Sequence, residues 1–498
     1  MNIINNDNDN DNDLYKNYIL SILKSICIDG KYDRFSFTNT HDATVISLHI
    51  NYEHVLVRFG GRDCENVPTT NVSVVNHPDE YYACRIVDID KMIHSDIIFD
   101  YSLSNIKSVE QSPNLDNKYN KYTRKVVYMS PCIFHNHIPP IIRTIDTLTS
   151  FIDTSQPRRH ALLDKMSVHF PHHVNISDCF EYEPLQKMYL QSKILINIHQ
   201  TDHHHTLEEL RILPALQCGV IVISEESGLS DVVPYQHMII WSTYDDMLKT
   251  TRNVLDHYEE YYNKIFSDEN KDCLRQMHFD NGYRLQKRLC AMNSSLDQLS
   301  RYYALDKNVA TNCHNYIPGY TSLFENIRFK VSTVLEIGIG VVEYQQMSGV
   351  WHLGYKTGNS LRCWRDYFIY ADIYGVDIYP CVMNDEERIQ TFIGDQSNKD
   401  DLQNIIDQIG MCDIIIDDGS HQVQHQIFTC MFLLQYIKQK GGIYVIEDVQ
   451  ERHDEFKNLT IFPAEFRAYI HQHFHVQCFD TRHERNRYDD FLIAFIRK

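Results

Sequence analysis

The most restrictive feature of this chain is a series of short apolar runs in its C-terminal half, each ending in acids or glycines. Thr333-Val334-Leu335-Glu336-Ile337 leads into Gly338-Ile339-Gly340, and Ile373-Tyr374-Gly375-Val376 ends at Asp377. Thr391-Phe392-Ile393 precedes Gly394-Asp395-Gln396, and Ile414-Ile415-Ile416 precedes Asp417-Asp418-Gly419-Ser420-His421. Ile443-Tyr444-Val445-Ile446 closes the series with Glu447-Asp448. Apolar runs of this kind, separated by helical stretches, suit strands buried on both faces and therefore a parallel α/β sheet. The carboxyl ends of such strands share one edge, the usual ligand crevice. Each acid taken singly reads as a solvated loop residue capping the next helix. The whole series reads as a site.

The chemistry follows from residue types. Gly338 and Gly340 permit a tight turn and close approach of backbone to a ligand. The third glycine of a dinucleotide fingerprint is missing, and the loop continues through Val341 and Val342. Glu336 beside that turn favours a cationic, amino-acid-bearing cofactor over a pyrophosphate. Asp377 stands where a ribose diol would be gripped, and Asp395 and Gln396 offer a carboxylate and an amide to an adenine edge. If the last two strands are neighbours, their ends lie about 5 Å apart and Asp418, Glu447 and Asp448 converge. Carboxylates that close repel one another, and a hard divalent cation such as Mg²⁺ resolves the conflict. His421 has the proton affinity of a general base; its alternative role is to cap the helix that follows or to brace a ligand.

These stretches, together with Thr357-Gly358-Asn359-Ser360-Leu361-Arg362-Cys363-Trp364, resemble the class I S-adenosylmethionine methyltransferases. The resemblance is to the metal-dependent sugar O-methyltransferases of macrolide and related antibiotic biosynthesis, and it covers roughly residues 327–498. It implies a Rossmann-like domain with S-adenosylmethionine among Glu336, Gly338, Gly340, Ser360, Asp377, Asp395, Gln396 and Asp417. It further implies Mg²⁺ on Asp418, Glu447 and Asp448, with His421 as base and Asp418 as its catalytic partner. The acceptor would be a sugar hydroxyl on a glycan or nucleotide sugar, and association into homo-oligomers is implied by the family alone. Arg482, Arg485 and Arg487 either grip an anionic acceptor or form a solvated loop.

The N-terminal half alternates strands and helices as well. Ile194-Leu195-Ile196-Asn197-Ile198, the helical stretch Glu208–Gly219 and Val220-Ile221-Val222-Ile223 resemble the nucleotide-sugar half of GT-B glycosyltransferases. Ile97–Ile106 resembles the end of the acceptor half in such proteins, notably those of large DNA viruses. The family's paired glutamates are absent, because Thr206 and Pro214 hold their places; either Glu209 and Arg211 substitute in contacts to a nucleotide sugar, or the domain has lost transfer activity and retains only sugar binding. His203-His204-His205 reads as an exposed polar loop, since three consecutive histidines cannot converge on one ion, and Tyr258, Tyr261 and Tyr262 read as a helix packing face.

The resulting layout is an Asn/Asp-rich tail (1–13), two GT-B-like Rossmann-like lobes (14–124 and 125–266), a helical connector (267–312) and a methyltransferase domain (313–498). The 47 Lys and Arg against 67 Asp and Glu give a net charge of −20, which argues against a nucleic-acid or membrane-surface partner. No apolar run reaches the roughly 18 residues of a membrane span, and the opening residues do not form a secretory leader. The 14 cysteines include no CxxC pair, so a reduced, cytoplasmic setting is expected, the host cytoplasm if the chain is viral. Two rival readings stand beside sugar methylation. One is an enzyme whose main activity is glycosyl transfer, with methylation as a capping step, and the other is a glycan-binding scaffold.

Overall fold

A computed structural model describes residues 2–4, 13–26, 34–37, 45–51, 57–60, 72–77, 80–85, 89–110, 117–135, 142–151, 154, 157–179, 181–199, 207–227, 230–342, 349–380, 386–485 and 487–498. Residues 5–12 of the Asn/Asp tract, Val55 and Leu56, and the His203–His205 run with Thr206 lie outside the described residues. The chain divides into two compact units, Met1–Leu289 and Cys290–Lys498. The division falls inside the long helix Asp268–Asn293, so residues 290–312 belong to the C-terminal unit.

The N-terminal unit contains two five-stranded parallel sheets. In the first, Ile46–Asn51 and Ile97–Asp100 lie side by side and Val126–Tyr128 forms an edge. In the second, the order is His173–Asn175, Ile145–Thr149, Ser192–Asn197, Ile221–Glu225 and Ile239–Ser242. Ser192–Asn197 and Ile221–Glu225 are almost wholly buried, which is why their sequences show no apolar–polar alternation. A three-stranded antiparallel sheet of Val57–Gly60, Val72–His77 and Glu80–Arg85 is also present.

The C-terminal unit is built on one seven-stranded sheet. Its strands, numbered within this unit, are β1 (Thr333–Ile337), β2 (Asp372–Asp377), β3 (Ile389–Ile393), β4 (Ile414–Asp417), β5 (Ile443–Ile446), β6 (Phe474–Asp480) and β7 (Phe491–Arg497). Their order is β3-β2-β1-β4-β5-β7-β6, parallel from β3 to β5 and antiparallel at β7 and β6. The last strand, β7, pairs antiparallel with both β5 and β6, so it lies inside the sheet and β6 forms the edge.

Alternate side chains of each central strand feed two separate cores. Val334, Ile373, Ile414, Ile416, Ile443 and Val445 face the helices Ile317–Phe324 and Asn359–Tyr367. Leu335, Ile337, Val376, Ile415, Tyr444 and Ile446 face Lys399–Ile409, Val423–Leu433 and Ala464–His473. Because both faces of the central strands are covered, they show no regular polar alternation and are mainly apolar. Local signals punctuate the helices. Asn398 caps Lys399–Ile409 by accepting from the Asp400 N–H at 2.9 Å, and Gly410 follows it at φ +75°.

The strand order reverses between β1 and β4, which is the topological switch point of an open parallel sheet. Ile416 sits on β4 at the middle of that layer with no exposed surface. Truncating it to alanine should cost about 2–5 kcal/mol, read as a lower denaturant midpoint for the C-terminal unit at an unchanged slope.

Candidate active site

Register places the acids at one level. Ile337 pairs with Asp417, and Asp417 pairs with Ile446. The ladder runs one residue further, with Asp418 N–H donating to the Ile337 carbonyl and Glu447 N–H to the Asp417 carbonyl, each at 2.9 Å. Gly338, Asp418 and Glu447 therefore leave the sheet together at the switch point. A side chain on Gly338 would put its Cβ 2.0 Å from the Asp418 carbonyl oxygen, and its φ of +85° lies in the left-handed region. Glycine is required there on both counts.

The centre of the cluster is a cation that the strand-end motifs did not announce. Lys307, whose side chain is 1% exposed, donates to Asp418 Oδ2 at 2.6 Å and Glu447 Oε2 at 2.9 Å. Its Nζ is also 3.6 Å from Glu336 Oε1. Burial alone would lower the ammonium pKa, but Asp418, Glu447, Glu336 and Asp306 together raise it well above the usual lysine value. Tyr320 O–H donates to the other oxygen of Glu447, and Tyr316 O–H donates to Asp448 Oδ1 at 2.5 Å. His314 Nδ1 pairs with Asp490 at 2.7 Å and lies 3.5 Å from Asp448 Oδ1.

The carboxylates outnumber their counter-charges, and burial raises several proton affinities. Glu447 is pushed well above its ordinary range by burial and by Asp418, and burial takes Asp448 up to about 6. Burial also takes Glu336 up to about 7. Asp418, His421 and Asp448 each offer a ligand atom within 4.8 Å of the others. His421 Nε2 is 3.7 Å from Asp448 Oδ2, and its Nδ1 is buried with no hydrogen-bond partner among the described residues. His421 and Asp448 both have left-handed backbone, at φ +58° and +50°. Left-handed backbone costs a non-glycine residue about 1–3 kcal/mol, and two such residues meet at this strand edge.

The residues expected around a cofactor occupy the same edge but are engaged with one another. Glu336 accepts from Ser360 Oγ at 2.5 Å and from Trp364 Nε1 at 3.1 Å. Asp377 accepts from the Ile339 N–H at 3.2 Å, inside the glycine turn, and from the Tyr379 N–H at 3.0 Å. Gly340 keeps the turn in left-handed backbone at φ +66°. Gln396 is a brace: its amide donates to Asp417 at 3.0 Å and accepts from the Ser420 N–H at 2.6 Å. Asp417 also accepts from Tyr444 O–H and is turned into the interior, where burial takes it up to about 7. Asp395 caps its own turn through Ser397, whose hydroxyl and backbone N–H hold it below the ordinary carboxylate range. Arg482 pairs with Asp480 at 2.8 Å and Arg487 with Asp489 at 3.4 Å, while the Arg485 side chain lies outside the described residues.

In the N-terminal unit, Glu209 does not present a free carboxylate. It is fully buried and accepts from the Leu103 N–H at 2.8 Å, Tyr128 O–H at 2.9 Å and Tyr235 O–H at 3.0 Å. The expected nucleotide-sugar contact of Glu209 therefore falls on a carboxyl group whose two oxygens both accept hydrogen bonds within the fold. Arg211 donates to Asn197 at 2.9 Å and lies over the Phe151 ring. Tyr258 and Tyr262 are half-buried ring neighbours on the helix Tyr258–Ile265, as a packing face requires.

No protein-family model matches the chain. The 8-demethyl-8-alpha-L-rhamnosyl tetracenomycin-C 2'-O-methyltransferase of Streptomyces olivaceus is 37% identical over 141 residues, 28% of this chain and 34% of its own. The chain spans about a third of the length of the curated relatives it matches. The solved structure of MycE methyltransferase from the mycinamycin biosynthetic pathway, in complex with Mg and SAH, aligns at 26% identity with a TM-score of 0.34. That alignment covers 47% of this chain and 63% of MycE. The structure of TarM aligns over 55% of this chain and 58% of its own at 9% identity and a TM-score of 0.34.

Glu209 generates a pH prediction. Its three donors favour the ionised form, but burial outweighs them and takes its pKa from 4.5 up to about 8. A carboxyl raised in the folded state destabilises progressively as pH rises from its unfolded pKa to its folded one. The stability of Glu209→Gln relative to the wild type should therefore improve as pH rises from about 4.5 to about 8. Parallel stability curves across that window, followed by chemical denaturation of the N-terminal unit, would contradict the assignment.

Proposed function

We propose that the C-terminal unit is an S-adenosylmethionine- and Mg²⁺-dependent O-methyltransferase acting on a sugar hydroxyl of a glycan or nucleotide sugar. The observation that carries this reading is the meeting of a glycine turn and a carboxylate cluster at one switch point, with His421 beside them. The identity to sugar O-methyltransferases over part of the chain supports it.

The donor set fits a hard cation. Asp418 and Asp448 supply oxygens, and Glu447 stands behind them with its oxygens held by Lys307 and Tyr320. Asp418, Asp448 and, after rearrangement, Glu447 would hold Mg²⁺. When bound, the ion supplies Lewis acidity towards an acceptor hydroxyl. The chain's own groups supply the rest. His421 Nε2, turned towards Asp448, takes the hydroxyl proton, and the Asp448 carboxylate stabilises the imidazolium that results. Gly338 and Gly340 let the cofactor approach the backbone, and Asp377 faces its ribose. Tyr316 and Tyr320 hold Asp448 and Glu447 in one orientation, so little reorganisation accompanies reaction.

The two parallel sheets of the N-terminal unit support a GT-B-like body that binds or presents a sugar. With Glu209 committed to the interior, Arg211 is the remaining candidate there for a nucleotide-sugar contact. The test is incubation of the full chain with labelled methyl donor, Mg²⁺ and a panel of nucleotide sugars and glycosides, read by mass spectrometry. Methylated sugar should form with wild type. It should fall at least about 100-fold in His421→Ala and Asp418→Asn, the range expected for loss of a general base or charge-stabilising group. Unchanged transfer in either variant would reject these roles.

A further inference from the structure

The acids of the C-terminal site are paired with an internal ammonium before any metal is considered. Lys307 Nζ reaches Asp418 Oδ2, Glu447 Oε2 and Glu336 Oε1, with side-chain exposures of 1% for Lys307, 19% for Asp418, 2% for Glu447 and 0% for Glu336. Three carboxyl groups share one ammonium, and Asp448 offers a further oxygen within 4.8 Å of a ligand atom of Asp418. Without Lys307 the buried carboxylates would face one another uncompensated, a strongly unfavourable arrangement in a site this dry.

The oxygens that Lys307 uses are among those a divalent ion would use. Glu447 has one oxygen on Lys307 and the other on the Tyr320 hydroxyl, so a cation that joins it shares an oxygen with one of these donors. Asp418 has Oδ2 on Lys307. An ammonium fixed this close also repels a second positive ion, since Coulomb interaction at such range is weakly screened in a buried site.

We propose that Lys307 is a built-in counter-ion and positioning residue: its ammonium holds Asp418 and Glu447 together before a divalent cation arrives, and competes with that cation for their oxygens. The competition rests on the metal reading given under Proposed function; the holding role does not. The site is thereby assembled in advance, and metal binding is kept weak and exchangeable. Lysine suits the task because its charge is compact and its three N–H donors can be shared among carboxylates from different strands.

The test uses the full chain in three forms: wild type, Lys307→Met, and Lys307→Met combined with Glu447→Gln. Methionine keeps the length of the side chain and removes its charge. In chelator, Lys307→Met should unfold at a temperature lower than wild type by about 4 °C or more, and added Mg²⁺ should narrow the gap. By calorimetry, its Mg²⁺ dissociation constant should be lower than that of wild type by about tenfold or more, a direction that a merely structural lysine would not produce. The double variant removes one charge of each sign and should recover stability in chelator even if Lys307→Met alone does not fold. Equal or weaker Mg²⁺ binding by Lys307→Met would overturn the competition. Wild-type stability of Lys307→Met in chelator, or failure of the double variant to recover, would overturn the holding role. If wild type itself binds no Mg²⁺, the metal reading fails and the competition with it, an outcome distinct from a failure confined to the variants.

Discussion

A single buried ammonium among three carboxylates is the interaction on which the C-terminal site depends. Glu336, Asp418 and Glu447 come from adjacent strands β1, β4 and β5, and their like charges oppose the close strand packing that the apolar cores favour. Lys307 resolves that opposition from outside the sheet, and Tyr316 and Tyr320 hold the outer oxygens. The hydrophobic layers set the strand spacing, and the polar network makes that spacing tolerable at the carboxyl edge. Chemistry is then available where the sheet's topology reverses, with a glycine turn on one side and a strained His421–Asp448 pair on the other.

Much of this was legible in the sequence for a definite physical reason. A parallel strand covered on both faces is mainly apolar, so β4 and β5 appear as short unbroken runs up to their closing acids and β1 as a run interrupted by Glu336. The residues that follow such a run must lie at the crevice. Strand identity and the level of Asp418 and Glu447 follow from that rule, whereas Glu336 lies within β1 itself. What does not follow is partnership. Gln396, Asp417 and Asp395 lie at the expected edge, yet Gln396 and Asp417 brace neighbouring loops and Asp395 caps its own turn. Position at a strand end is a backbone property, whereas the direction of a side chain is decided by its neighbours.

Lys307 was illegible for the complementary reason. It lies in the polar stretch Leu305-Asp306-Lys307-Asn308, with no apolar periodicity and no glycine, and such a segment reads as connector. The nearest local signal was the spacing of Tyr316 and Tyr320, which places two hydroxyls on one face of the helical segment that begins at Ile317. Glu209 misled in the opposite direction. An acid at the start of a helix suggests exposure, but the hydroxyls of Tyr128 and Tyr235 and the Leu103 N–H draw it into the interior. Contacts made across more than 20 residues of sequence decided both cases.

As proposed above, the carboxyl edge of this sheet is a cation site organised by Lys307 and set beside a cofactor crevice. The most direct measurement is anomalous diffraction from crystals of the full chain grown with Mn²⁺ in place of Mg²⁺ and with S-adenosylhomocysteine. A manganese peak is expected within coordination distance of Asp418 and Asp448, with nucleoside density between the Gly338–Gly340 turn and Asp377. An absent peak, or one bound elsewhere with Asp418 and Asp448 unliganded, would contradict that proposal.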